Sequence, residues 1–197
     1  QGTKGIVLEL NSETDFVAKN ENFQKLLKQL LEVAIDANSL EELNSLKIDG
    51  MTISEKVAES SGIIGEKLEL RRFAKVEVKE GVIASYIHTS ELENTGKTCV
   101  LLGIESGSSN KEALLELGKK LCMQTAAMKP QFLKVEQVPS SVIENEKAIS
   151  REQLVAQKKP ENVIEKILEG KIAKFYEDNV LLNQVSVMDS KKKISDL

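Results

Sequence analysis

The sequence is short of the residues from which most catalytic and metal sites are made. Among its 197 residues there is a single histidine, His88, so neither a catalytic pair of histidines nor a histidine-rich metal site can be assembled. Cys99 and Cys122 are the two cysteines. They are too few and too far apart for a zinc knuckle, a Cys-x-x-Cys redox pair or a disulfide framework, and reduced thiols in the cytoplasm are the expectation. The Gly-x-Gly-x-x-Gly fingerprint and the phosphate-loop pattern are both missing. Gly103-Ile104-Glu105-Ser106-Gly107 puts its serine one place out of step with the nucleophile elbow Gly-x-Ser-x-Gly. No apolar run approaches the roughly 20 residues of a membrane span, and no basic-then-apolar leader opens the chain. Acidic side chains outnumber basic ones, 31 to 27, with the two signs interspersed, so the basic stripe of a duplex-binding protein is lacking too. These absences argue against an enzyme, a bound metal or cofactor, direct nucleic-acid binding and membrane insertion.

What is present is a chain of ordinary globular composition, sized for one or two compact domains and long enough to bury roughly 70% of the surface its unfolded form exposes. Lys4 to Leu10 is a short β-rich run, and Asn11-Ser12-Glu13-Thr14-Asp15 follows it with turn and cap chemistry. Phe16, Phe23, Leu26, Leu27, Leu30, Leu31 and Ala34 recur at helical spacing, which predicts one amphipathic helix of about five turns. Ser39 and Ser54 are the expected caps of two shorter helices, Leu40 to Leu46 and Glu55 to Ser60, separated by an Asp49-Gly50 turn. Strands over Leu68 to Val78 and Val82 to His88 read as a hairpin closed by Lys79-Glu80-Gly81. His88, at the end of that alternating run, reads on pattern alone as a surface or structural histidine.

The first part of the chain then recurs in outline. Lys97 to Ile104 is again a lysine followed by an apolar strand, Ser106 to Asn110 a polar turn, and Lys111 to about Met128 a long helix stopped by Pro130. From Ser140 the character changes to two charged helical arms, Val142 to Gln157 and Glu161 to Tyr176, interrupted by Lys158-Lys159-Pro160. Ile164, Ile167, Leu168, Ile172 and Phe175 form the seam of the second arm, and Val142, Ile143, Ile149, Leu154 and Val155 a thinner seam on the first. Neither seam can be buried alone, so the arms are expected to pair as an antiparallel hairpin projecting from the core. A last capped segment starts at Ser190-Lys191-Lys192-Lys193. The fold class is therefore α+β: two related subdomains, each a small antiparallel sheet packed with helices. The expected boundaries are 1–92, 93–140 continued by 177–197, and the hairpin 141–176.

One motif goes beyond architecture. In Glu13-Thr14-Asp15-Phe16-Val17-Ala18-Lys19-Asn20 a bare Asp-Phe pair occupies the corner from strand to helix. A structural account is open: Thr14 or Asp15 caps the helix, the carboxylate favours its positive end, and Phe16 staples onto Phe23 or Leu27. The string from Leu8 to Phe23, however, closely resembles the signature of the translation elongation factor Ts family. Arg71-Arg72-Phe73, Ser85-Tyr86-Ile87-His88, Met123-Gln124-Thr125-Ala126-Ala127 and Val163 to Lys171 resemble later landmarks of that family, in family order. The longer loop Thr89 to Gly96 resembles the form of one bacterial branch, and Cys99 stands where the family usually has glycine.

The resemblance implies a guanine-nucleotide exchange factor for elongation factor Tu that performs no covalent chemistry. Asp15 and Phe16 would be the wedge that disturbs the partner's Mg²⁺ site, with Thr14 and Val17 framing it. Met123, Gln124 (often histidine in the family) and His88 would be further contacts. The resemblance also implies a core fragment: members begin with a small helical domain like a ubiquitin-associated fold and continue past Leu197 into a closing strand. The hairpin is a candidate surface for self-association. Two other classes stay open, a scaffold module built on that hairpin, and a small hydrolase using His88 with Ser85 or Cys99.

Overall fold

The computed structural model describes residues 2–197, the side chains of Glu91 and Leu92 excepted; Gln1, the start of the first expected subdomain, lies outside the described residues. Two compact units are present, Gln1–Cys122 and Met123–Leu197. Mixed helices and small antiparallel sheets make the fold α+β, as the sequence predicts.

In the first unit, β1 (Lys4–Asn11) leads through a turn into α1 (Asp15–Ala18) and α2 (Glu21–Ala34). The expected five-turn helix is thus two helices. The break falls at Asn20, whose side chain accepts from the backbone N–H groups of Asn22 at 2.8 Å and Phe23 at 3.4 Å. An asparagine that caps a new helix competes with continuation of the old one. Phe23, Leu26, Leu30 and Ala34 of α2 then follow the helical period into a core shared with Leu43, Ile53, Val57, Leu68 and Leu70.

Next come α3 (Leu40–Ser45), the two-residue strands β2 (Lys47–Ile48) and β3 (Met51–Thr52), and α4 (Ile53–Ile64). Ser39 caps α3 as expected, through Glu42 N–H at 3.0 Å. The Asp49-Gly50 turn is also found, both residues at positive φ, as a two-residue hairpin loop requires. The cap of α4, however, is Thr52 rather than Ser54. Thr52 and Glu55 form a reciprocal capping box, and two satisfied backbone donors outweigh the single one that Ser54 offers.

The strands β4 (Glu69–Glu77), β5 (Gly81–Leu92) and β6 (Thr95–Glu105) overturn the expected hairpin. β4 pairs antiparallel with β1, and β5 pairs antiparallel with β6. Lys79-Glu80-Gly81 therefore crosses from one ribbon to the other. Gly81 sits at φ +144°, where a Cβ would lie 1.8 Å from the Ile104 carbonyl oxygen, so no other residue fits that crossing. The expected loop Thr89 to Gly96 is instead mostly strand, with Leu92 opposite Thr95 and only Glu93-Asn94 between them.

α5 (Lys111–Met128) lies over β5: the Sγ of Cys122 is 3.7 Å from the Ala84 carbonyl, and Gly118 meets Ala84 closely. In the second unit, α6 (Ser140–Ala156) and α7 (Glu161–Asn179) pair as the expected hairpin. Leu154, Ile164 and Leu168 are buried between them, with Ile167 packed alongside. Arg151 joins Glu161 and Glu165 across the pair. The seam of α6 differs from expectation, since Ile149 and Val155 are exposed while Ser150 and Leu154, one helical turn apart, face α7. The capped segment expected after Ser190 is a short 3-10 turn, Ile194–Asp196.

Helical glycines of opposite environment give a test of packing against propensity. A Cβ on Gly118 would stand 2.4 Å from that of Ala84, whereas Gly170 in α7 has nothing within 4 Å. Gly170→Ala is expected to stabilise by about 0.5–1 kcal/mol through helix propensity. Gly118→Ala is expected to destabilise by about 1–3 kcal/mol through overpacking. Chemical denaturation of the two variants reads both signs.

Candidate functional site

The turn Ser12-Glu13-Thr14 brings β1 into α1, a single turn of helix. So short a helix has no stability of its own, because nucleation fixes several residues for one hydrogen bond. Its position is set by what holds its ends. Val17 is buried in the core, and its carbonyl accepts from Asn20 N–H at 2.9 Å. At the other end, the Thr14 backbone N–H donates to Glu66 Oε2 at 2.9 Å and the Thr14 hydroxyl to Glu66 Oε1 at 2.6 Å. The Lys67 backbone N–H donates to Glu13 Oε2 at 3.2 Å in return. Asp15 pairs with Lys97 of β6 at 3.1 Å.

Phe16 lies between these anchors and is 88% exposed. The expected staple onto Phe23 or Leu27 is not formed, because the break at Asn20 turns α1 away from the stripe of α2. The capping half of that account is not observed either: α1 has no side-chain cap hydrogen bond, and the Thr14 hydroxyl is directed to Glu66. A cleft of about 560 Å³ lies beside α1, lined among others by Asp15, Ala18, Gln24, Lys97 and Cys99. On that flank Ala18 packs against the core and its carbonyl accepts from the Gln24 amide, while exposed Asp15 borders the cleft.

Thr14, Asp15, Phe16 and Val17 thus occupy one corner, with Val17 as its buried root and Phe16 as its tip. His88 is exposed on β5, opposite Thr98 of β6, and its Nδ1 lies 3.0 Å from the Tyr86 hydroxyl. That hydrogen bond is the reverse of what a hydrolase needs, since it engages neither Ser85 nor Cys99. Burial raises both thiols, Cys122 to about 11, which disfavours the thiolate a nucleophile requires. Among the described residues no group of three or more His, Cys, Asp or Glu side chains could hold a metal ion. No helix there is long and apolar enough to cross a membrane.

Gln124, which the resemblance implies as a partner contact, is buried rather than presented at the surface. It is 1% exposed, donates to Gln184 Oε1 and the Val185 carbonyl at 3.1 Å each, and accepts from Val187 N–H at 2.8 Å. Its amide is spent on holding the segment 184–187, while Met123 beside it is half-buried. Sequence reasoning missed Glu66 and Lys97, which lie 52 and 82 residues from their partners. The one local signal was Gly65, a helix stop that places Glu66 at the start of the next connection.

Residues 13–197 match the family model described as Elongation factor TS. The chain is 41% identical to the elongation factor Ts of Bradyrhizobium sp. (strain ORS 278) over 98% of this chain and 63% of that protein. It is 42% identical to that of Erythrobacter litoralis (strain HTCC2594) over 100% of this chain and 65% of that one. For Wolbachia sp. subsp. Brugia malayi (strain TRS) the identity is 40%, over 98% and 67%. The chain therefore spans about two thirds of the length of these relatives.

Measurements on the isolated chain check this geometry. Phe16→Ala should melt with the parent, within about 0.5 kcal/mol, because little is buried to lose; a core staple would cost about 3–5 kcal/mol. A thiol reagent at pH 8 should modify Cys99 well before Cys122. Because burial raises the Cys122 thiol above its unfolded value, its contribution to stability is complete below that value and is lost as pH rises toward about 11.

Proposed function

Since the chain belongs to the elongation factor Ts family, whose model it matches over residues 13–197, we propose that it is a guanine-nucleotide exchange factor that accelerates GDP release from elongation factor Tu in the cytoplasm. The observation that carries this reading is Phe16, a large apolar side chain 88% exposed at the tip of a corner held by polar contacts on either side. Large aromatics left in solvent on a fixed support are the anchors of protein interfaces.

No bond is made or broken in such a reaction. The factor binds the nucleotide-free GTPase more tightly than the GDP form, and by linkage GDP loosens the factor by the same ratio. Burying one phenylalanine side chain is worth about 1.5–3 kcal/mol, roughly a ten- to hundredfold change in an equilibrium constant. That gain accelerates release only if the pocket for Phe16 opens as the nucleotide leaves. Asp15 beside it would disturb the element that holds Mg²⁺ in the partner. Loss of that ion removes the charge that neutralises the diphosphate oxygens, and GDP is bound less well. His88 and Met123 are proposed as further contacts; Gln124 would contribute through the backbone it holds.

The scaffold reading rests on Ile149, Val155 and Val163, exposed on the hairpin helices. Single exposed apolar residues are ordinary on protein surfaces, so they carry less than the corner does. Stopped-flow release of labelled GDP from elongation factor Tu in millimolar Mg²⁺ separates the two. The chain should accelerate release, and Phe16→Ala and Asp15→Ala should each slow it, Phe16→Ala by about tenfold or more. The double variant should slow it less than additively, as a single unit would. Full acceleration by a folded double variant would remove this corner as the site.

A further inference from the structure

We propose that Glu66 is a positioning residue for exchange, acting through Thr14 to hold the direction in which Phe16 is presented; the proposal rests on the wedge reading of the corner. Both carboxylate oxygens of Glu66 are given to Thr14, one to its N–H and one to its hydroxyl. A hydrogen bond to an ionised carboxylate is stronger and more directional than one between neutral groups, and a pair of them fixes orientation as well as distance.

Thr14 occupies the N-cap position of α1, where a threonine hydroxyl ordinarily accepts from the helix. Here α1 has no side-chain cap hydrogen bond. The hydroxyl instead ties the corner to the connection after α4, and Glu13 ties it back through Lys67 N–H. Two sequence-distant segments are thus laced by three hydrogen bonds at the base of the exposed Phe16.

The support on the other side is rigid. α4 begins with the Thr52–Glu55 capping box, buries Ile53 and Val57 in the core, and ends at Gly65 with φ +81°. That left-handed turn, which favours glycine, redirects the chain so that Glu66 reaches Thr14. Leu68 N–H then donates to the Ser61 hydroxyl at 2.9 Å and closes the connection onto α4. Both sets of contacts lie at the surface; Lys97 is the weaker anchor, since it makes one contact with Asp15 where Glu66 makes two with Thr14, and a lone exposed ion pair is worth little in water. On the cleft side the remaining ties, Ala18 against the core and the Gln24 amide on its carbonyl, hold the far end of α1. Glu66 is therefore the tie that carries the order of α4 to the Thr14 end of the corner, opposite the buried Val17.

The test is the concentration dependence of GDP release from elongation factor Tu for Glu66→Ala, Thr14→Val, their double variant and Phe16→Ala. If Glu66 positions the tip, Glu66→Ala lowers the maximal rate at saturating factor by about tenfold, as small misplacements do. Thr14→Val should do likewise, and the double variant should be no slower than Glu66→Ala alone. A merely structural glutamate would reduce the folded fraction, raising the half-saturating concentration and leaving the maximal rate unchanged; that result overturns the proposal. Should Glu66→Ala fail to fold, Glu66→Gln decides: it keeps the volume but sets an amide N–H₂ or a single oxygen against two donors, so a wild-type maximal rate overturns the proposal. A slow Phe16→Ala beside a fast Glu66→Ala removes Glu66 and spares the wedge. An unaffected Phe16→Ala removes the wedge reading itself, whatever Glu66 does.

Discussion

The apolar stripe of α2 against the inner residues of β1, β4 and α4 is the constraint on which the rest of the first unit depends. Phe23, Leu26, Leu30 and Ala34 enter a core with Leu43, Ile53, Val57, Leu68 and Leu70, and burial of each large side chain is worth about 1.5–3 kcal/mol. Once α2 is seated, Asn20 is its cap and α1 must bend away from it. The exposure of Phe16 is thus a consequence of where α2 ends. A helix continuing through residues 19 and 20 would have laid Phe16 over Phe23 and hidden it.

Polar contacts then add to what the core supplies. α1 buries Val17 in the core and packs Ala18 against it, both at its C-terminal end, which leaves the Thr14 end to be placed by other groups. Glu66, Glu13 and Lys97 complete the support with charged groups that lie near the surface. The energies involved are small beside the core, so the corner is held in direction more than in stability. Such an arrangement would suit the proposed role, since the Phe16 side chain can be desolvated without giving up a core contact. The same logic separates the corner from Gln124, whose amide is fully committed inside the second unit.

Glycines mark where backbones and ribbons approach. A Cβ on Gly5 would come within 2.9 Å of Ile83, and one on Gly103 within 2.8 Å of Val78. These contacts bring the β1–β4 ribbon against the β5–β6 ribbon, which is how Lys97 arrives beside Asp15. The connection Lys79-Glu80-Gly81 belongs to the same arrangement, because it hands the chain from one ribbon to the other rather than folding it back.

Local chemistry was legible wherever neighbours in sequence settle it: the period of α2, the Asp49-Gly50 turn, the Ser39 cap, the stop before Pro130 and the paired arms α6 and α7. The corner was legible as a motif, since Thr14 to Val17 are contiguous. It was joined to α2 as one continuous helix because periodicity counts Phe16 with Phe23 and is blind to a cap at Asn20. Strand partners were not legible, because β4 and β5 each satisfy the same alternation whichever ribbon they join. Nor were Glu66, Lys97 or the burial of Gln124: each depends on groups 52 to 82 residues away, and no pattern within a helix or strand encodes which distant donor a carboxylate or amide will meet. The sequence by itself determined the fold class and the residues of the corner. Tertiary structure decided that Phe16 faces solvent and that Glu66 stands behind it, because only the packed core brings those segments together.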